Sequence, residues 1–486
     1  MNNRTLPRDA RIPWHVVPLA CVALLAGCQS YQPLPLDLAE HQADVASRLA
    51  QEESLRAFAE RLADGDTDTD DPFDTSNGIS SAEAEVIALF YNPDLRLARL
   101  RAGAALADAQ TAGLWEDPVF GFDGAELLSP SGPFEYGLTL SLTIPISGRL
   151  GVEEDKADRA YEAELRRVVD AEWSMRAKVR KAWADWSVAA ERMRLIDEVA
   201  EQIDRIGVVS DRLEKAGELT RVEARLLRSQ RIGLRVVRAS VEAEAEQNRL
   251  ELMSLMGLLP TTRVELVPSL STIDLPESSQ TTDRLIKSNT TLAVARADYA
   301  VAEQSLRLEV RKQYPDIEIG AGYGSEDKDD RLLLGVSLPI PSLNANRGGI
   351  ATARAERQLA RSTAQTEFER LAFQLAGAQA RLSAAQKQQE VLQDELVPML
   401  DAQAAEIDRL AELGEVNTLI LLETVTRRFE AKDRILDLNL AELAARIEVV
   451  RLLGPDEPAT PSPVSASVKT KTTTTGVENA GEGVSR

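Results

Sequence analysis

The chain has little of what most enzymes and metal proteins need, with two cysteines and two histidines among 486 residues. Cys21, Cys28 and His15 all stand near the N-terminus, so His41 alone represents either type beyond residue 28. Metal clusters of His and Cys need several such ligands, and Ser-His or Cys-His nucleophilic pairs need a histidine beside the nucleophile. We therefore expect no enzyme activity, no cofactor and no metal site.

Long apolar runs are also missing beyond the N-terminus. No later stretch reaches ~18 apolar residues, so we expect no transmembrane helix. A formal net charge of -22 argues against nucleic acid as a partner, because phosphates require a basic surface. Aromatic residues make up only 4% of the chain, which favours extended helical packing over a thick globular core.

The N-terminus has the pattern of an export signal. Three arginines precede an apolar run from Val16 to Leu25, which is too short to span a bilayer permanently. The following Leu-Ala-Gly-Cys sequence resembles a bacterial lipoprotein box, which implies that Cys28 is acylated and begins the mature chain. Gln29, rather than an aspartate, is typical of lipoproteins sent to the outer membrane. The alternative is an ordinary signal peptide with a chance cysteine.

What the chain does contain is a long duplication, with a period of about 197 residues. Asn92-Pro93-Asp94-Leu95 returns as Asn289-Thr290-Thr291-Leu292, and residues 137–145 return as residues 331–339. This period is too long for a solenoid repeat and indicates one duplicated unit of helices and strands. Within each unit, we expect a helix, two strands and a long helical hairpin.

Two strands are predicted in each unit from alternating residue types. The first pair is 118–123 and 136–145, joined by a turn at Ser129–Pro133, and the second pair is 316–323 and 332–339. In the second strand, Leu138, Leu140, Leu142 and Ile144 alternate with Thr139, Ser141 and Thr143. The pattern predicts one apolar face and one small polar face.

Helical periodicity covers most of the remainder. One helix is predicted from residue 80 to 112, opened by a capping box at Ser80 and Glu83. Hairpins of long helices follow, over residues 152–256 with a tip at Gly217 and over residues 350–453 with a tip at Gly414. Pro398 is expected to kink the second hairpin.

These elements set the predicted boundaries. They are a signal peptide (1–27), a lipidated N-terminal segment and linker (28–79), a first repeat (80–260), an inter-repeat linker (261–282), a second repeat (283–455) and a disordered tail (456–486). Four strands cannot close a barrel alone, since bacterial barrels begin at eight strands. Two copies would give eight strands and three would give twelve. The alternative makes these strands the sheet of a soluble α+β protein.

The ordered elements resemble those of TolC-like outer-membrane factors over roughly residues 80 to 455. The most specific matches are Asn92-Pro93-Asp94-Leu95, Pro339-Ile-Pro341 with Asn346-Arg347-Gly348, and the two tips beginning at Gly217 and Gly414. The resemblance implies a mainly α fold with a trimeric twelve-stranded transmembrane β-barrel, continued by a periplasmic α-barrel. It also implies that the lipid-anchored protein lies in the outer membrane with a large periplasmic portion.

The resemblance further implies partners and site residues. A periplasmic adaptor (membrane fusion protein) would contact the tips at Gly217, Thr220, Gly414 and Thr418, and an inner-membrane RND-type transporter would supply the substrate. Glu223 and Glu423 would form a periplasmic gate as carboxylate rings. The alternatives are that tight turns alone require the glycines and that the glutamates lie on outward, solvated helix faces.

The leading interpretation is therefore a passive exit duct of a tripartite efflux pump. The alternative is a periplasmic coiled-coil scaffold lipoprotein without a pore. The turn at Gly148-Arg149 resembles that of heavy-metal efflux members. The sequence leaves open whether metal ions, drugs or other small molecules are carried.

Overall fold

The computed structural model describes residues 31–66, 73–128, 131–275, 281–326, 329–412 and 418–456. It divides the chain into two compact units, residues 1–47 and 48–486. The described part of the first unit consists of residues 31–37 followed by helix α1 (Leu38–Ala46). Asp37 caps this helix, because its side chain accepts hydrogen bonds from the N–H groups of Ala39 and Glu40. The predicted signal peptide (1–27), the predicted lipidation site Cys28 and residues 457–486 of the predicted tail lie outside the described residues.

The second unit begins with helix α2 (Glu52–Asp66) and continues with two runs, each of two helices, two strands and a hairpin of long helices. The first run is α3 (Ser81–Tyr91), α4 (Pro93–Thr111), β1 (Val119–Leu128), β2 (Ser131–Ile144), α5 (Arg149–Ala216) and α6 (Arg221–Leu255). The second run is α7 (Thr281–Ser288), α8 (Thr290–Arg311), β3 (Ile317–Glu326), β4 (Asp329–Ser337), α9 (Arg347–Val391), α10 (Val397–Glu412) and α11 (Thr418–Leu453). At 1.5 Å per residue, the 68 residues of α5 extend about 100 Å. Among the described residues, no helix is both long and apolar enough to span a bilayer.

The single helix predicted over residues 80–112 is wrong, because the chain breaks between α3 and α4 at Asn92. The predicted capping box of Ser80 and Glu83 is present at the start of α3. Asn92 then ends that helix and caps the next one, with Pro93 at its first position, where a missing N–H has no cost. The residue before a proline also avoids helical dihedral angles. The second run breaks in the same way at Asn289, without a proline.

The four strands form one antiparallel sheet in the order β1-β2-β3-β4. The turn predicted at residues 129–133 is too long, because β2 already begins at Ser131 and pairs there with Leu128. A register irregularity between Glu126 and Leu128 lies opposite Pro133 and lets the ladder continue past a residue that cannot donate a hydrogen bond. Within the segment 28–79, the sequence predicts a linker over the Asp- and Thr-rich residues 64–74, but helix α2 continues to Asp66.

The helices bury their apolar residues against one another rather than against the sheet. Trp183 of α5 is 1% exposed and lies in a cluster with residues of α3 and the end of α6, such as Ile87 and Leu252. Further along α5, Leu195 and Ile203 form a second cluster with residues of α6 and α11. The two helical hairpins therefore share a core along α5.

A π-helical segment, Leu392–Leu396, separates α9 from α10 and directly precedes the turn that contains Pro398. Proline removes one backbone donor and crowds the carbonyl four residues earlier, and a wider turn relieves that crowding. The predicted long helix is therefore interrupted close to Pro398, while the kink itself stays a prediction.

Candidate functional site

The sheet has two chemically different faces. Because directly paired residues of antiparallel strands share a face, the register assigns these apolar residues to one side: Phe120, Phe122, Leu138, Leu140, Leu142, Ile144, Ile317, Ile319, Tyr323, Leu332, Leu334 and Val336. The other side carries mainly small or polar residues: Gly121, Gly137, Thr139, Ser141, Thr143, Glu318, Gly320, Gly322, Gly324 and Gly335. The alternation predicted for β2 therefore extends across the sheet, with Val119 in β1 and Leu333 in β4 as apolar exceptions on the polar side.

The apolar face is uncovered in the single chain. Phe120 is 67% exposed and Leu334 is 80% exposed, although such residues are normally buried. Strands β1 and β4 stand at the two ends of the strand order, so each has one hydrogen-bonded neighbour among the described strands. Exposed apolar edge strands promote association with another chain. Both the face and the edges of this sheet require partners.

Arg149 joins the base of the sheet to the first turn of α5. Its guanidinium forms ion pairs with Glu116 at 2.9 Å, Glu153 at 3.1 Å and Asp316 at 2.9 Å. Glu116 precedes β1 and Asp316 precedes β3, so one side chain connects two strands to the long helix. Burial opposes the charged form, but hydrogen bonds to Asp316 and Glu153 raise the pKa of Arg149. The sequence singled out Gly148-Arg149 only as a family-like turn and did not predict this role.

The corresponding junction of the second run is built around Asn346. This residue has a φ of 51°, and its amide donates to the Glu309 carbonyl at 2.8 Å and to the Glu309 carboxylate at 2.7 Å. Hydrogen bonds from Asn346 and then from Lys312 lower the pKa of the Glu309 carboxyl. A Cβ on Gly349 would approach that carboxylate and the Asn346 side chain too closely, so any larger residue there would require these two side chains to move. The motif that resembles the family's Asn-Arg-Gly thus positions the start of α9.

Asn92 and Asn289 form the same interaction in each run. The side chain of Asn92 accepts from the N–H of Leu95 at 3.2 Å and donates to the Leu255 carbonyl at 2.9 Å. Asn289 is only 2% exposed and donates to the Leu452 carbonyl at 2.7 Å. Each asparagine therefore caps one helix and holds the last turn of the returning hairpin helix. The sequence identified this motif as a family match but could not predict its contacts.

A glycine in a left-handed conformation completes each of these junctions. Gly257 and Gly454 have φ angles of 67° and 76°. A Cβ on Gly257 would lie 2.5 Å from the Tyr91 carbonyl, and one on Gly454 would collide with the Ser288 carbonyl. Arginines differ between the two runs: Arg48 donates to the carbonyls of Tyr91 and Gly257, whereas Arg284 donates to that of Gly454 at 3.0 Å.

The tip of the first hairpin contains three of the predicted site residues. Gly217 follows the last residue of α5 and has a φ of 81°. A Cβ added to Gly217 would have no other atom within 4 Å. Thr220 caps α6, and its N–H and hydroxyl donate to the Glu223 carboxylate at 2.9 and 2.8 Å. Both hydrogen bonds lower the pKa of Glu223, and the bond from the Thr220 hydroxyl has the larger effect. Thr220 and Glu223 thus form a capping box.

The tip of the second hairpin is described only in part. Gly414 lies outside the described residues, and Thr418 is the first residue of α11. Glu423 is exposed and forms an ion pair with Arg427 at 2.8 Å, one turn further along the same helix. The adaptor-contact and gate roles of these residues stay predictions. Across the described ranges, no group of three His, Cys, Asp or Glu residues is arranged to hold a metal ion.

Known structures with this architecture are outer-membrane channels. The chain is similar to the crystal structure of CusC, whose description refers to transmembrane channel formation, with 18% identity, a TM-score of 0.66 and coverage of 79% of this chain and 93% of CusC. It is also similar to the Campylobacter jejuni CmeC outer membrane channel, with 15% identity, a TM-score of 0.64 and coverage of 80% and 90%. The fold is therefore that of TolC-like outer-membrane channels, as the sequence predicted.

Sequence comparison points to the same family. Residues 281–455, which comprise the second run, match the family model for Outer membrane efflux protein. The chain is 21% identical over 317 residues to the cobalt-zinc-cadmium resistance protein CzcC of Cupriavidus metallidurans, covering 65% of this chain and 76% of CzcC. The resemblance predicted from the ordered motifs is confirmed.

Proposed function

We propose that this protein is the outer-membrane exit channel of a tripartite efflux pump, through which substrate passes without covalent chemistry. The observation that supports it most strongly is the sheet. One face is apolar and exposed, and the other is lined mainly by glycine and small polar residues. The outer edges of β1 and β4 have no hydrogen-bonded neighbour among the described strands. Lipid-facing and lumen-facing residues alternate in this way along the strands of transmembrane barrels.

The complete barrel would come from three copies of the chain, with four strands from each. Twelve strands lie within the range of bacterial outer-membrane barrels, whereas four do not. Glycine-rich rows on the polar face, such as Gly121, Thr139 and Gly322, would leave room in the lumen beside the larger Leu333 and Arg331. Leu138 to Ile144 span about 20 Å of strand, which at a strand tilt of ~40° covers about 15 Å of the ~25 Å apolar band of such barrels.

The long hairpins would extend from this barrel into the periplasm, and their tips would meet a periplasmic adaptor. Gly217, Thr220, Gly414 and Thr418 remain our candidates for that contact, and an inner-membrane RND-type transporter would deliver the substrate. Three copies of Glu223 and Glu423 would surround the axis as carboxylate rings, which favour cations. Opening of such a gate would be a population shift of the tip helices on partner binding. Acylation of Cys28 would anchor the chain to the outer membrane.

Heavy-metal ions are the first substrate class to test. The supporting observations are the name of the similar protein CzcC, which refers to cobalt, zinc and cadmium resistance, and the turn at Gly148-Arg149. A host lacking the gene should become more sensitive to one of these ions if the proposal holds. Sensitivity to drugs alone would assign a different substrate class to the same channel.

The experiment that tests the channel is the native mass of the mature protein in detergent, combined with fractionation of the envelope membranes. A trimer in the outer-membrane fraction is expected. A Cys28→Ser variant exported by another signal should still require detergent, because the sheet and not the lipid would hold it in the membrane. A monomer or dimer that stays soluble without detergent would refute the channel and favour the coiled-coil scaffold.

A further inference from the structure

A cleft between α5 and α11 brings three arginine side chains together. Arg176 and Arg180 stand one turn apart on α5, and Arg451 belongs to the last turn of α11. Trp173 of α5 also lines the cleft, and its indole N–H donates to the Arg451 carbonyl at 3.0 Å. The cleft therefore lies where the end of the second run is held against the first run.

Two of the three arginines are neutralised by carboxylates. Arg180 forms a bidentate ion pair with Glu85 of α3, through its Nε and through its Nη2 at 3.1 Å. Arg451 forms another bidentate pair with Glu448, in which both distances are 2.8 Å. Each pair uses the Nε and Nη2 atoms of its arginine. The Nη1 atoms of Arg180 and Arg451 donate to no other residue in the described part of the chain.

Arg176 has no such partner. It is half-buried, and no ion pair or hydrogen bond joins its guanidinium to another described residue. The acidic residue one turn earlier on α5, Glu172, pairs with Arg99 at 2.7 Å instead. Like charges four residues apart, as in Arg176 and Arg180, destabilise a helix. Because arginine stays protonated in proteins, Arg176 carries a partly desolvated charge without a described counter-charge.

We propose that this cleft binds a small inorganic anion such as chloride, between Arg176 and the Nη1 groups of Arg180 and Arg451. The space enclosed by the lining residues is about 10 Å³, near the minimum that one water molecule needs. A single-atom anion therefore suits the cleft better than an oxyanion such as phosphate. Guanidinium groups are weakly hydrated, and their hydrogen bonds to anions are stronger than those between neutral groups.

Charge favours an anion over a water molecule in this position. Water could accept hydrogen bonds from the three guanidinium groups, but it would not supply the missing negative charge. The chain as a whole carries a net charge of -22, which repels anions at long range. The attraction must therefore come from close contacts in the cleft, and we expect half-saturation at millimolar concentrations.

A bound anion would join the two runs of the chain. Arg176 and Arg180 belong to α5 and Arg451 belongs to α11, so one ion would bridge both helices beside the hydrogen bond from Trp173. All of these groups lie in one chain. The inference therefore goes beyond the proposed function and does not depend on a channel being formed.

Iodide tests the site because it is an anion that also quenches tryptophan fluorescence. Trp115 is 55% exposed and would be quenched by simple collision, so the test uses the whole mature protein with Trp115→Phe. Ionic strength is held constant with gluconate, because charge interactions are screened by salt. Quenching should then contain a component that saturates at millimolar iodide, and chloride should reverse this component. Quenching by neutral acrylamide should not respond to chloride. Adding Trp173→Phe should remove the saturable component.

Substitution of Arg176 then locates the site. Arg176→Gln should raise the half-saturating iodide concentration by about tenfold or more, because a charged donor is lost. The fold should be retained, since Arg176 has no described ion pair to lose. Arg176→Lys keeps the charge and should retain saturable quenching at a higher iodide concentration. The matched control is Arg212→Gln, which changes an exposed arginine of α5 near the hairpin tip and should leave the titration unchanged.

Two results would overturn the inference. Quenching that rises in proportion to iodide and does not respond to chloride would refute an anion site. Saturable quenching that is the same in Arg176→Gln and in the unsubstituted protein would show that the anion binds elsewhere. Neither result bears on the channel, which the native mass in detergent and the membrane fractionation test separately.

Discussion

Leu140 and Thr139 are adjacent in β2 and should respond in opposite ways to the same substitution. Leu140 lies in the apolar row that pairs with Phe120 and Ala321, and it is 54% exposed. Thr139 lies on the other face, between Gly121 and Gly322. If the apolar face contacts lipid, Leu140→Arg places a charge in the bilayer. Thr139→Arg places the same charge in an aqueous lumen.

The size of the effect follows from the position of Leu140 within the apolar band. Leu138 and Ile144 mark the ends of that band on β2, so Leu140 and Leu142 lie near its middle. An arginine near the bilayer midplane costs about 2–4 kcal/mol in a transmembrane barrel. This cost corresponds to roughly 30- to 900-fold in the folding equilibrium of each copy. Thr139→Arg should cost less than about 1 kcal/mol, because the neighbouring glycines leave room for the side chain.

The assay is folding into lipid vesicles, followed by the fraction of protein that migrates as a trimer without heating. Leu140→Arg should reduce that fraction strongly, while Thr139→Arg should match the unmodified protein. The reverse order would mean that the apolar face does not contact lipid. Equal tolerance of both changes would refute a membrane location for this sheet.

Three further predictions concern the helix junctions and the first tip. Asn289→Ala should lower the free energy of unfolding by about 2–4 kcal/mol, because a helix cap is lost and the buried Leu452 carbonyl loses its donor. Thermal unfolding, followed by the circular dichroism of the helices, measures this loss. Gly217→Ala should cost about 1–2 kcal/mol for its left-handed conformation, whereas Gly454→Ala should cost at least about 3 kcal/mol because its Cβ also meets a backbone carbonyl. Equal unfolding temperatures for these two variants would contradict the collision. Hydrogen bonds lower the pKa of Glu223 below its ordinary value of 4.5, so its contribution to the α6 cap is complete above that pH and is lost as the pH falls through the lowered pKa. Glu223→Gln can still cap α6, but its side chain does not titrate. The assay is protection of the amides at the start of α6 against hydrogen exchange, corrected for intrinsic rates. This protection should fall in acid in the unmodified protein and not in the variant.

Much of the fold could be predicted from the sequence because its elements are long and periodic. The alternation around Leu140 predicted a two-faced strand, and the structure extends that pattern over four strands. The long helices and the tip at Gly217 were also predictable, since a helix of 68 residues leaves a strong periodic signal and a glycine after its last residue.

The helix junctions could not be predicted because their partners are distant in sequence. Asn92 ends a helix in a stretch that is helical by periodicity, and what holds it is the Leu255 carbonyl, 163 residues away. The three carboxylates around Arg149 likewise come from separate elements. At the first tip, Thr220 and Glu223 have the spacing of a capping box, a local signal that could have been recognised.

The two junctions share one geometry but use different arginines. Both use an asparagine and a left-handed glycine, so the geometry of the helix break is shared. The arginine that donates a hydrogen bond to the glycine carbonyl comes from a different place in each case. Arg284 belongs to the second run itself, whereas Arg48 precedes the first run. Arg48 is only 6% exposed, so the first junction includes a buried side chain from outside its own run, whereas the second junction is completed by a residue of its own run.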